Sequence, residues 1–433
     1  MKYFGVIGNR DYIKHHGVKL PFWDFLDEQP DGWLTSIVYH RDDLPSGRPM
    51  IFDCGAWSYK DEEEPTVTPK QALDKYMVNA PNGSMLIAPD HMVIPGKDNK
   101  ARRQINRRNA AEFIGICPKT HTPMATVHGE TIDDRIQCAS ELYHHGYRHI
   151  ALGGMAAQAS RKALMVEAVE RVRDAVPDVW LHVLGLSSPS YVREWKRLGV
   201  QSCDGSSHFK QAFTGGAFFT HDGKGKLTKH QAARPGNADD LGIVAPVCHC
   251  KACSLLRDDG VDTRSYGSNE HNMGRAAHNM NMLMQAQKEM MRLRVVLVAC
   301  CGEKLSHPAP AKDLYQSELF KKSRTWAESN GDKWLILSAK LGVIHPEQVV
   351  EPYDETLNDK KAGERAEWSR KVAQQLGSYS TDRLVVLAGK NYCGWVEGFD
   401  VERPMEGMGI GQQLAWLKAQ NSKEQHEQSV FDL

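Results

Sequence analysis

Eight short apolar runs, most of them separated by an amphipathic segment, fill roughly the first 210 residues of this chain, and nothing else in the sequence restricts the fold as strongly. They are YFGVIG (3–8), LTSIVY (34–39), MIFD (50–53), SMLIAPD (84–90), MATVH (124–128), HIALGG (149–154), WLHVLGL (180–186) and VQSCD (200–204). Between several of them lie helical patterns such as PKQALDKYMVN, TIDDRIQCASELYHHG and SRKALMVEAVERVRDAV. Strands alternating with helices imply parallel βα units, and about eight units in roughly 250 residues predict a closed TIM (β/α)8 barrel. A doubly wound open sheet is the competing arrangement.

A barrel of this kind carries its chemistry at the C-terminal ends of its strands. The polar and glycine residues of the runs fall there: Asp53, Asp90, His128, the Gly153-Gly154 pair, Leu184-Gly185 and Asp204. Any one of them reads equally well as a helix cap or turn residue. Six such positions in register are harder to attribute to capping. Three aspartates converging on one pocket allow a division of labour: one carboxylate attacks the anomeric carbon of a nucleoside, a second shuttles the proton of the departing or arriving base, and a third accepts the N–H donors of a guanine-like ring. Trp57, four residues after Asp53, offers a face on which a base can stack.

Cys248, Cys250 and Cys253 form a C-x-C-x-x-C loop, and His278 follows in a segment, Arg275 to Arg292, that reads as a long methionine-rich helix. Three thiolates wrapped around one point with an imidazole at the fourth corner predict a structural zinc site. His271 is the rival fourth ligand. The remaining cysteines, Cys54, Cys117, Cys138, Cys203, Cys300, Cys301 and Cys393, sit mostly in apolar runs, which fits a reducing compartment better than a disulfide framework.

Lys and Arg total 54 and Asp and Glu total 54, so no global field draws the chain to nucleic acid and such affinity must come from local patches. Two patches qualify: Arg102, Arg103, Arg107 and Arg108 in a helical stretch, and Lys224, Lys226, Lys229 and Arg234 in a glycine-rich loop or hairpin over 211–245. Either can touch phosphates, and either can be an ordinary solvated face. With no apolar run of membrane length, and Met1-Lys2-Tyr3 leading straight into a strand, the expectation is a soluble, cytoplasmic protein with no membrane partner.

A new α/β unit begins near Arg294 with RVVLVACCGEK and continues through YQSELFKKSRTWAES, WLILSAKLG, AEWSRKVAQQL and RLVVLAG to PMEGMGIGQQLAWLKAQ. It predicts a small three-layer α/β domain. Its polar candidates are Cys300, Cys301, Lys304 and Lys340, with core or turn roles as the simpler reading, and Gly407, Gly409 and Gly411 read better as a tight turn than as an anion cradle. The tail NSKEQHEQSVFDL is expected to fray. The divisions expected are 1–240 for a catalytic barrel, 241–293 for a zinc-binding subdomain and a helix completing the barrel, and 294–433 for the C-terminal domain.

These motifs carry a resemblance. Asp53-Cys54-Gly55-Ala56-Trp57 is similar to the Asp-Ser-Gly-Gly-Phe/Tyr motif of the tRNA-guanine transglycosylases. Val127-His128-Gly129, Leu152-Gly153-Gly154-Met155 and Val183-Leu184-Gly185-Leu186 resemble that family's base-pocket motifs, and Ser202-Cys203-Asp204 resembles its nucleophile strand. The cysteine loop and His278 resemble its zinc subdomain. Over roughly residues 1–294 the resemblance implies Asp204 as nucleophile, Asp53 as general acid/base and Asp90 as the carboxylate reading the base, with His128 in place of a glutamine. It implies a pocket formed by Gly153, Gly154, Leu184 and Gly185, with Trp57 and Leu184 sandwiching the ring. After Asp204 the chain reads Gly-Ser-Ser-His-Phe, unlike the tRNA enzymes, and the appended domain has a YaaA-like flavour. Both features look more like the DpdA branch, which inserts 7-deazaguanines such as preQ0 into double-stranded DNA, often in phages, where it serves restriction evasion. Exchange on tRNA is the alternative, and a non-catalytic nucleic-acid-binding partner subunit is a second. A homodimer stays open.

Overall fold

The structure, a computed structural model, describes residues 1–39, 43–94, 96–233 and 246–431. Arg234 and the rest of the expected glycine-rich loop to 245 lie outside them. The chain divides into two compact units, Met1–Met291 and Arg292–Leu433. Among the described residues no helix is long and apolar enough to cross a membrane.

In the first unit the eight runs form eight parallel strands closed into a barrel: Lys2–Val6, Gly32–Ser36, Met50–Asp53, Met85–Ile87, Thr122–Val127, His149–Leu152, Trp180–Val183 and Ser202–Gly205. Closure excludes the open sheet. The first strand pairs with the last, Phe4 opposite Asp204, and also with the second, Phe4 opposite Gly32. Several ladders stop earlier than the apolar runs do, because Gly154 and Gly185 take φ of 69° and 75° and turn the chain out of the sheet. Gly153, Leu184 and Asp90 therefore stand on the first residues of loops.

The helices between strands are started by local chemistry. Pro69–Asn79 opens with a reciprocal Thr68/Gln71 capping box and Pro69 in its first turn, and Ile132–His144 opens with a Thr131/Asp134 box. The helix expected from Arg275 begins earlier, as Asn269–Met291. It lies against Pro189–Arg197, Ser207–Thr214 and the Ala217–His221 strand, in the ring of helices outside the barrel. Met280 is completely buried there, so Met280→Ala would cost about 2–5 kcal/mol. The polar residues of the same helix are held: Asn279 accepts from Phe219 N at 2.8 Å and donates to Ala217 O at 2.7 Å, and Arg275 donates to Thr263 O, Ala212 O and Ser265 O. The hairpin Ala217–His221/Leu227–Gln231 is thereby tied to the helix that carries His278.

The second unit is a five-stranded sheet in the order Gly342–Ile344, Lys333–Ser338, Arg294–Ala299, Arg383–Leu387, Asp400–Glu402, parallel except for its first member. Alternation splits each strand between two cores. Val296, Val298, Ile336 and Val385 meet Phe320, Trp326 and Leu417 of the helices Glu318–Asn330 and Ile410–Phe431. Val295, Leu297, Leu335 and Val386 meet Trp368 and Val372 of Ala362–Gln375 on the other face. This is the three-layer arrangement read from the sequence. Gly407, with φ 76°, belongs to a turn ahead of the last helix, and that helix runs on to Phe431 through most of the tail expected to fray.

Candidate active site

Strand parity decides which side chains reach the barrel mouth. Phe4, Ile51, Met124 and Ala151 pack together as an apolar layer inside the barrel, with Trp180 and Leu184 beside it. Because side chains alternate, the residues two further along point the same way. Ile51 leads to Asp53, Met124 to Thr126 and His128, Ala151 to Gly153, and Trp180 to His182 and Leu184. In the last strand the inward parity falls on Ser202 and Asp204, and Asp204 lines the mouth.

All nine residues expected at the site, Asp53, Trp57, Asp90, His128, Gly153, Gly154, Leu184, Gly185 and Asp204, line one cavity of about 390 Å³. The three carboxylates are held in different ways. Asp53 accepts from Gly55 N at 2.8 Å, an approach that the left-handed Gly55 (φ 79°) makes possible. Its carboxyl is pushed up to about 7, first by burial and then by the charges of Asp90 and Asp204. Asp90 is engaged on both oxygens, by the Cys54 thiol at 2.9 Å and by His128 Nε2 at 2.5 Å. Burial holds Cys54 well above the usual thiol range, so it is a protonated donor. Tyr59 backs this pair, donating to Asp90 O at 3.0 Å.

Among the described residues Asp204 accepts on Oδ1 alone, from Gly185 N at 2.9 Å and from His182 Nε2 at 3.2 Å. Behind it, His182 Nδ1 lies 2.8 Å from Ser202 Oγ, which takes the indole N–H of Trp180 at 2.9 Å. An ionised carboxylate only accepts, so Nε2 is the donor to Asp204, and in the neutral ring Nδ1 is then the acceptor of the Ser202 proton. His182 and Thr126 escaped sequence reasoning. A histidine inside WLHVLGL reads as core, and it is indeed completely buried; only its parity with Leu184 could have singled it out. Thr126 Oγ1 is buried in the cavity wall with no hydrogen-bond partner among the described residues.

Glycine at 153 is a steric requirement. A Cβ there would come within 2.5 Å of Thr126 Cγ2 and 2.7 Å of His128 Cε1. Trp57 stands 68% exposed at the rim, as a lid over the cavity would. In the first of the two basic runs, three of the four arginines have partners within the barrel unit, and Arg108 is exposed. Arg102 is buried and donates to Met92 O, Lys60 O and Glu62 O, Arg103 pairs with Glu130 and Asp134, and Arg107 grips Glu141 with two bonds. Lys224, Lys226 and Lys229 are exposed.

The ligand atoms of Cys248, Cys250, Cys253 and His278 lie within 4.8 Å of one another, a set that could hold a metal ion. His278 Nε2 donates to Phe219 O at 2.6 Å, which leaves the Nδ1 lone pair facing Cys250 and Cys253 Sγ, each at 3.4 Å. Crowding divides the thiols: hydrogen bonds from its neighbours push Cys248 below the usual thiol range, and the same contacts push Cys250 and Cys253 above it. A cation at the centre would relieve that division, so the donor set fits one. His271, the rival ligand, instead faces Ser268 Oγ at 3.2 Å.

An eight-stranded parallel barrel whose mouth gathers three carboxylates defines the class of the first unit: a (β/α)8 barrel with its site at the strand ends. Residues 62–292, more than half of the chain, match the family described as queuine tRNA-ribosyltransferase, and the chain belongs to that family. Asp53 and Trp57 precede the matched span. Residues 295–419 match a family of unknown function, DUF6884. A curated relative, the DNA-guanine transglycosylase of Salmonella montevideo, is 26% identical over 184 residues, 39% of this chain and 43% of the relative. The chain thus aligns with less than half of that relative's length.

Proposed function

We propose that this protein is a glycosyltransferase that exchanges guanine in DNA for a 7-deazaguanine by double displacement. The observation that carries the reading is the convergence of Asp53, Asp90 and Asp204 on one cavity, with Asp53 held close to neutrality in its titration. A group that titrates near the working pH can both give and take a proton. Asp204 attacks the anomeric carbon; the bond from that carbon to the ring nitrogen breaks, Asp53 protonates the departing guanine, and the sugar is held as an aspartyl ester. The incoming 7-deazaguanine loses its ring N–H proton to Asp53, attacks the same carbon and releases Asp204. Two displacements retain configuration. Asp90 and His128 read the base edge, Gly153, Gly154, Leu184 and Gly185 shape its slot, and Trp57 covers its face.

Zinc is assigned to Cys248, Cys250, Cys253 and His278. Four protein ligands would leave no open position, so a bound ion would cross-link the loop to the Asn269–Met291 helix and stand outside the reaction. DNA is favoured over tRNA as substrate by the name of the Salmonella relative.

The test offers labelled preQ0 to the full chain with duplex DNA and bulk tRNA in parallel. Label enters DNA, and Asp204→Ala abolishes it, by on the order of 10⁴-fold, with the fold intact. Label in tRNA alone would replace DNA by tRNA. No label in either, with DNA still bound, would leave a binding subunit.

A further inference from the structure

The C-terminal unit has its own convergence of polar groups, none of which the barrel cavity uses. Its central strand Arg294–Ala299 is visited first; the chain then moves to Lys333–Ser338 on one side and afterwards to Arg383–Leu387 on the other. Such a reversal opens a crevice outside the carboxyl ends of the strands, where open parallel sheets bind ligands. The residues just past those ends meet there. Cys300 Sγ, after the first strand, lies 3.4 Å from Tyr392 Oη, after the third, and accepts from Ala339 N, after the second, at 3.4 Å.

Beside them runs a chain of hydroxyls. Tyr315 Oη is 2.8 Å from Tyr353 Oη, which is 2.7 Å from Ser338 Oγ, and Ser338 Oγ also accepts from Leu341 N at 3.0 Å. Tyr315 and Ser338 are almost fully buried, so the three hydroxyls form one fixed polar group at the strand ends. Two ammonium groups approach the same ring: Lys304 Nζ is 4.5 Å and Lys340 Nζ 5.7 Å from the centroid of Tyr353. Lys304 also lies 5.9 Å from the ring of Tyr315.

We propose that this carboxyl edge is a second ligand site, built by Lys304, Lys340, Tyr315, Tyr353 and Ser338, that takes a phosphate-bearing anion. Two cations converging on Tyr353 beside a hydroxyl group match the charge and the several acceptor oxygens of a phosphate group. The phosphate arrives either on a mononucleotide or within a polynucleotide backbone. The site goes beyond the base exchange of the barrel and does not depend on it.

The experiment is calorimetric titration of the full chain with pyrophosphate, dGMP and a short DNA duplex, at fixed salt. The wild type binds at least one of the three, and the response to dGMP against duplex tells which source the site accepts. Lys304→Ala/Lys340→Ala weakens that binding by about tenfold or more. Tyr353→Phe, which breaks the hydroxyl chain but keeps the ring, weakens it by about threefold or more. Asp204→Ala leaves it unchanged. Three results would overturn the site: no probe binds the wild type, the double lysine variant binds as the wild type does, or the lysine effect occurs with none from Tyr353→Phe, which would reduce it to surface charge.

Discussion

The barrel mouth and the Cys3His cluster both crowd groups that repel when ionised, and they resolve the crowding in opposite ways. At the mouth, Asp53, Asp90 and Asp204 stand around a cavity of about 390 Å³, and burial keeps one of them protonated up to about pH 7. At the cluster, four ligand atoms crowd within 4.8 Å around a point, with His278 fully buried and no room for a substrate. Like charges around a space are a means of moving protons. Like charges around a point call for a cation.

The comparison breaks most violently at the cluster. Cys250→Ser should lose the metal and cooperative unfolding together, read as metal per chain by atomic absorption and as the melting curve; a zinc-free variant that still folds and exchanges base would end the distinction. The next effect belongs to the mouth. His182→Phe should lower kcat by roughly 10- to 100-fold with little change in KM, because it removes a donor to Asp204, the nucleophile of the proposed exchange, while leaving the cavity wall in place. His182→Gln, which can return an N–H, should recover part of the loss. An equal fall in both parameters would make His182 a packing residue only.

The smallest effect sharpens the contrast. The Asp53 carboxyl is raised from 3.8 to about 7 on folding, so its contribution to stability is complete below pH 3.8 and is lost as pH climbs to about 7. Asp53→Asn does not titrate. Its melting temperature relative to the wild type should therefore rise between about pH 4 and 7 and then level off. A constant difference across that range would show that Asp53 ionises normally.

Much of this was legible in the sequence because period-two strands and period-3.6 helices record burial directly. The eight runs became eight strands, and the polar residues at their ends became one cavity, since an inward position near a strand's end can face only the mouth. His182 stayed hidden because a buried histidine with its bonds satisfied has the same local pattern as any core residue. Nor does sequence show that Arg102 of the arginine run points inward to three carbonyls. His278 reads ahead of His271 from its place in the long methionine-rich helix, and in space it is the His278 ring that joins the three cysteines.

A free carboxylate is symmetric, and its two oxygens are interchangeable by a half-turn. In Asp204 the two positions differ all the same: the oxygen at Oδ1 accepts from Gly185 N and from His182 Nε2, and a half-turn would exchange the atoms but restore the same pair of bonds. It is the position that is fixed, not the atom. In the proposed exchange the glycosyl ester would therefore form each time at the Oδ2 position, whichever atom occupies it.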